Sequence, residues 1–126
     1  MKKAKLLKLA DFIEKLKPKA LDMDCVVDKF DSDGCATIAC AMGWTPKVFP
    51  REMKWLTYSA RVMHIETGAM NWTAMATLFD ISCSDANVIF SDGEDRYYTP
   101  QQVAAGIREY VKLGRVPSRM LSKKEY

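Results

Sequence analysis

Residues Asp31 to Trp44, reading Asp-Ser-Asp-Gly-Cys-Ala-Thr-Ile-Ala-Cys-Ala-Met-Gly-Trp, constrain this 126-residue chain more than any other stretch. They hold two of its four cysteines, two of its six glycines and one of its three tryptophans. Asp31, Ser32 and Asp33 are good helix N-caps, and Gly34 permits backbone angles closed to other residues. Ala36 to Met42 then predicts a short buried helix stopped by Gly43 in the C′ role. Its small residues Ala36, Ala39 and Ala41 would let other helices approach closely.

The flanking segments predict further helices. From Ala4 to Leu16, Leu6, Leu9, Ala10, Ile13 and Leu16 follow the helical i, i+3, i+4, i+7 spacing, with Leu7 and Phe12 widening the stripe. Asp11 and Lys15 are spaced as an i, i+4 pair, and Lys17-Pro18 ends the helix. Arg51 to Met63 predicts a helix with Met53, Leu56, Ala60 and Met63 on one side. Asn71 caps a helix from Trp72 to Phe79 whose face is Trp72, Met75, Ala76 and Phe79. Ser82 or Ser84 caps another through Phe90. Thr99-Pro100-Gln101-Gln102 is the strongest helix start, a capping box with proline at the first position, and Gly114 and Pro117 end that helix.

The expected fold is therefore mainly α: one domain, residues 1–117, of five or six short helices around a small-residue central helix. Residues 118–126 read as a basic, frayed tail. Residues 21–27 alternate apolar and acidic, so a minor two-stranded element from 21–27 and 55–63 is the α+β alternative. A chain of this length buries enough surface to need neither metal nor disulfide.

The net charge of +3 is unevenly spread. Residues 1–19 carry +5, 20–35 carry −4, 36–79 carry +2, 80–99 carry −4 and 100–126 carry +4. The alternation argues against one nucleic-acid stripe unless basic segments meet in space, so nucleic acid is not an expected partner. The N-terminal segment is amphipathic rather than continuously apolar, and no stretch has the length of a membrane span. The expected location is the cytoplasm, with no membrane partner and with free cysteines.

Cys35 and Cys40 on one helix would point about 140° apart and could not share a metal. Adding Cys25, Cys83 and His64 matches no familiar zinc spacing, and the expectation is no metal and no cofactor. Asp31-x-Asp33-Gly34 fails as a calcium loop, because its first and twelfth positions are Lys29 and Cys40. At a helix N-terminus Cys35 would be a nucleophile candidate, with His64, the only histidine, as base. Thr37 and the backbone after Gly34 could face an anion, but Asp31 and Asp33 oppose it. Trp44 and the Arg96-Tyr97 pair complete the candidate ligand-binding residues, against the plainer reading that the aromatics close the core.

The segment Gly34-Cys35-Ala36-Thr37-Ile38-Ala39-Cys40-Ala41-Met42-Gly43-Trp44 resembles a family of small uncharacterised phage and prophage proteins with a Cys-Gly-Thr-x-Ala-Cys-Ala-x-Gly-like motif. The likeness extends through Leu9-Ala10-Asp11-Phe12-Ile13-Glu14, Leu78-Phe79-Asp80-Ile81, Val88-Ile89-Phe90-Ser91 and Thr99-Pro100 onward. Ala36 departs from the usual glycine. The resemblance implies a phage accessory protein and brings no activity with it. The expected function is a non-enzymatic binding module that blocks a host defence protein or sequesters a defence nucleotide. A cysteine enzyme using Cys35 with His64, and a weak nucleic-acid binder acting through the basic termini, are the rivals. A second copy of the chain is a further candidate partner.

Overall fold

The computed structural model describes residues 1–23, 26–90 and 99–117. Cys25, Arg96, Tyr97 and the 118–126 tail lie outside the described residues. The chain is a mixed α/β protein, not a mainly α one. Helices α1 (Lys3–Glu14), α2 (Thr45–Val48), α3 (Trp72–Phe79), α4 (Cys83–Phe90) and α5 (Pro100–Leu113) share the fold with two antiparallel hairpins. These are β1 (Val27–Phe30) with β2 (Ala36–Ala39), and β3 (Met53–Leu56) with β4 (Arg61–His64). The expected pairing of 21–27 with 55–63 does not form: Val27 pairs Ala39, and 53–64 folds back on itself.

The correction begins at Asp31. Instead of capping a helix, Asp31-Ser32-Asp33-Gly34 makes the hairpin turn. The Asp31 N–H donates to the Cys35 carbonyl at 2.8 Å, and the Gly34 N–H to the Asp31 carbonyl at 3.1 Å. The Asp31 Oδ1 accepts from the Asp33 and Cys35 N–H groups, both at 2.9 Å. Gly34 sits at φ +79°, the left-handed residue that closes a three-residue hairpin loop. The helix preference of Ala36 to Ala41 is worth only tenths of a kcal/mol per residue, and turn chemistry and packing override it.

Gly43 does not end a helix in the left-handed conformation. It lies in a single 3₁₀ turn, Met42–Trp44, pressed against β1's approach. A Cβ at this position would stand 1.8 Å from the Val26 carbonyl oxygen and 2.7 Å from the Ala39 Cβ. Trp44 donates Nε1–H to the Ala20 carbonyl at 3.0 Å, and Trp55 donates to the Gly43 carbonyl at 2.7 Å. With Phe12, Phe30, Val27, Ala36 and Ala39 they form a small apolar cluster between α1 and the hairpins.

Residues 36–42 form no central helix. The first and last helices pack on each other instead, α1 burying Leu6, Leu9, Ala10 and Ile13, and α5 burying Val103, Ala104, Ile107, Tyr110 and Val111. The capping box at Thr99 forms as its sequence predicts. Arg108 of α5 bridges Asp11 (2.8 Å) and Glu14 (2.7 Å) of α1, so Asp11 pairs across helices. The guanidinium holds the Glu14 carboxyl below its ordinary range. Helices α3 and α4 close the core, with Phe79 stacked on Phe90 and edge-on to Phe49. The buried face of α3 is Ala74, Met75, Leu78 and Phe79; Trp72, expected inside, is exposed. Ser82 caps α4 by accepting from the Asp85 N–H at 3.0 Å. No described helix is long and apolar enough to cross a membrane.

Candidate interaction surface

The expected Cys35–His64 pair is not assembled. Cys35 is exposed beside the first hairpin's turn, just before a strand rather than at the start of a helix. That turn lies against the start of the second hairpin's turn, where Thr57 Cγ2 is 3.4 Å from a Cβ placed on Gly34. His64 ends β4 at the other end of that hairpin, three residues beyond Arg61, about 10 Å of strand. Its ring is buried and engaged: Nδ1 lies 3.0 Å from the Thr67 Oγ1 and accepts from the Thr67 N–H at 3.4 Å. The histidine therefore fastens the 64–69 loop.

The other candidates are also structural. Thr37 donates its hydroxyl to the Lys29 carbonyl across the first hairpin. Trp44 is buried and committed to Ala20. Cys40 is buried, and desolvation pushes its thiol up to about 11. Among the described residues, no group of three or more His, Cys, Asp or Glu is placed to hold a metal.

The second hairpin carries the feature that sequence reasoning missed. The helix expected over Arg51 to Met63 is instead two strands, Met53 to Leu56 and Arg61 to His64. Met53, Trp55, Val62 and His64 share the inner face, and the register sets Lys54 opposite Met63 on the outer face. Segment 69–71 adds to the far edge of β4: Met70 bridges Met63, the His64 N–H donates to the Ala69 carbonyl at 2.8 Å, and the Asn71 N–H to the Val62 carbonyl at 3.1 Å. The Ile65 N–H continues the ladder to the Glu52 carbonyl at 2.8 Å, which keeps Ile65 in phase with Met63. Asn71, at φ +54° and ψ −123°, then turns the chain sharply into α3, whose first residue is Trp72.

The outcome is an outer sheet face of Ile65, Met63 and Met70, edged by exposed Lys54 and Arg61, with Trp72 following two residues after Met70 at the start of α3. Ile65 is 45% exposed, and Met70 and Trp72 are each 42% exposed. The available signal was the Met63–Trp72 run itself, which sets Met63, Ile65, Met70 and Trp72 close together in sequence. Compared with family models, curated proteins and solved structures, the chain matches none.

Proposed function

We propose that this chain is a non-enzymatic binding module that engages a host protein through the outer face of its second hairpin. The observation that carries the reading is the exposure of Ile65 and Met70 on that face and of Trp72 just after it in the chain, with Lys54 and Arg61 at its rim. Tryptophan and arginine are enriched at protein-interface hot spots, and methionine adapts its shape to a partner. Large apolar side chains left exposed close together in the chain are a costly surface to leave in water. The resemblance to phage accessory proteins supports a host protein as the partner. The separation of Cys35 from His64 supports a role in binding rather than covalent chemistry.

The test is tagged purification from host cells, comparing the wild-type chain with Trp72→Ser/Met70→Ser and with Cys35→Ala. One host protein retained in near-stoichiometric amount by the wild type and by Cys35→Ala, and lost from the double variant, is the expected result. A nucleotide released on denaturation in place of a protein, or retention that depends on Cys35, contradicts the reading.

A further inference from the structure

The register of the second hairpin fixes how charge is laid out on its outer face. Met63 stands at the centre. Lys54 is its partner on β3 and Met70 its partner on the far side of β4, so the three form a row across the sheet. Along β4, Arg61 comes two residues before Met63 and Ile65 two after, and alternate residues of a strand share a face. Lys54 and Arg61 are therefore diagonal neighbours, and so are Met70 and Ile65. One half of the face is cationic and the other apolar, and all four of these side chains are exposed. The ion pairs of the described residues engage neither Lys54 nor Arg61. Glu52, two residues before Lys54, is taken by Lys5. Glu66 follows Ile65, beyond the end of β4 opposite to Arg61. Asp31 and Asp33 belong to the neighbouring turn, where the Asp31 Oδ1 accepts from that turn's own N–H groups.

We infer, resting on the reading of this face as the partner-binding surface, that it takes an acidic protein segment whose carboxylates lie beside apolar side chains. The carboxylates meet Lys54 and Arg61, and the apolar side chains cover Met63, Met70 and Ile65. Like charges set as neighbours on a sheet face repel each other, and an acidic partner removes that repulsion. A phosphodiester backbone would answer the two cations but leave the apolar half in water.

Selection of a random peptide library, displayed on yeast, against the full chain at low salt tests it. The retained peptides should be rich in Asp and Glu set beside apolar residues. Their affinity should fall about tenfold or more with Lys54→Glu/Arg61→Glu, and it should weaken as salt rises from about 50 to about 500 mM. Lys54→Gln/Arg61→Gln should abolish the acidic excess in a repeated selection, which keeps the test decisive if charge reversal unfolds the chain. Ile65→Ser/Met70→Ser should also lose the peptides, whereas Lys15→Glu/Lys19→Glu, the same change of net charge on another part of the surface, should keep them. Peptides lost from Ile65→Ser/Met70→Ser but without an acidic excess, and indifferent to charge reversal, would overturn this inference and leave the binding face standing. Peptides indifferent to Ile65→Ser/Met70→Ser would overturn both. An empty selection, or binding only to single-stranded DNA or to anionic phospholipid vesicles, would also overturn the inference.

Discussion

Gly43 shows how much one hydrogen atom can decide. Its missing side chain lets the Met42–Trp44 turn sit against Val26, and a methyl group there would meet the carbonyl oxygen at 1.8 Å. Gly43→Ala should destabilise the chain by about 3 kcal/mol or more, since the obstacle is backbone and cannot rotate away. Urea titration would measure it, and a loss below about 1 kcal/mol would show that the turn can shift. Cysteine behaviour is set on the same scale. Native alkylation followed by mass spectrometry should label exposed Cys35 and Cys83 and spare Cys40. Burial raises the folded Cys40 thiol from 9.0 to about 11, so the unfolded chain releases that proton first as pH rises. Cys40 therefore contributes stability that is present below about pH 9 and is lost as pH rises through 11. Cys40→Ser would blunt that alkaline limb in a series of unfolding curves.

Elements differ in how far local sequence specifies them. Helix α5 was legible because its signals are local: the Thr99 hydroxyl accepts from the Gln102 N–H, and the Gln102 side chain accepts from the Thr99 N–H. Thr99→Ala should cost about 1 kcal/mol, read as a lower thermal midpoint. Helix α1 was legible from its periodicity, and α4 from Ser82. The hairpins were not. Ala36 to Ala41 and Met53 to Met63 both have helix-compatible spacing, and what decides against helix lies outside them: the Asp31 carboxylate tying the turn, the close approach at Gly43 and the segment 69–71 pairing with β4. The Arg108 bridge between α1 and α5 joins residues nearly a hundred apart and has no sequence signature. Because Glu14 is held below its ordinary value in the folded chain, its contribution is present above the unfolded value of 4.5 and fades as pH falls through the folded one. The group is exposed, so Arg108→Met should weaken only slightly the acid dependence of the midpoint.

For the whole molecule, the sequence-level candidates Cys35, His64, Thr37 and Trp44 all serve the fold or stand apart, while the candidate surface comes from residues that looked like core. Trp72 and Met70 are apolar by type but stay exposed on either side of Asn71, where the chain turns sharply into α3. Lys54 and Arg61 reach that face only through the β3–β4 register. The surface is thus a tertiary product, and exposure rather than composition identifies it. We propose that this face contacts a host protein. Hydroxyl-radical footprinting of the chain, free and in host-cell extract, measures this directly by mass spectrometry at each side chain. Protection at Met70, Trp72 and Ile65, with exposed Leu7, Tyr58 and Leu113 labelled equally in both samples, is the predicted result. Unchanged labelling at Met70 and Trp72, or protection centred on Cys35, would contradict it.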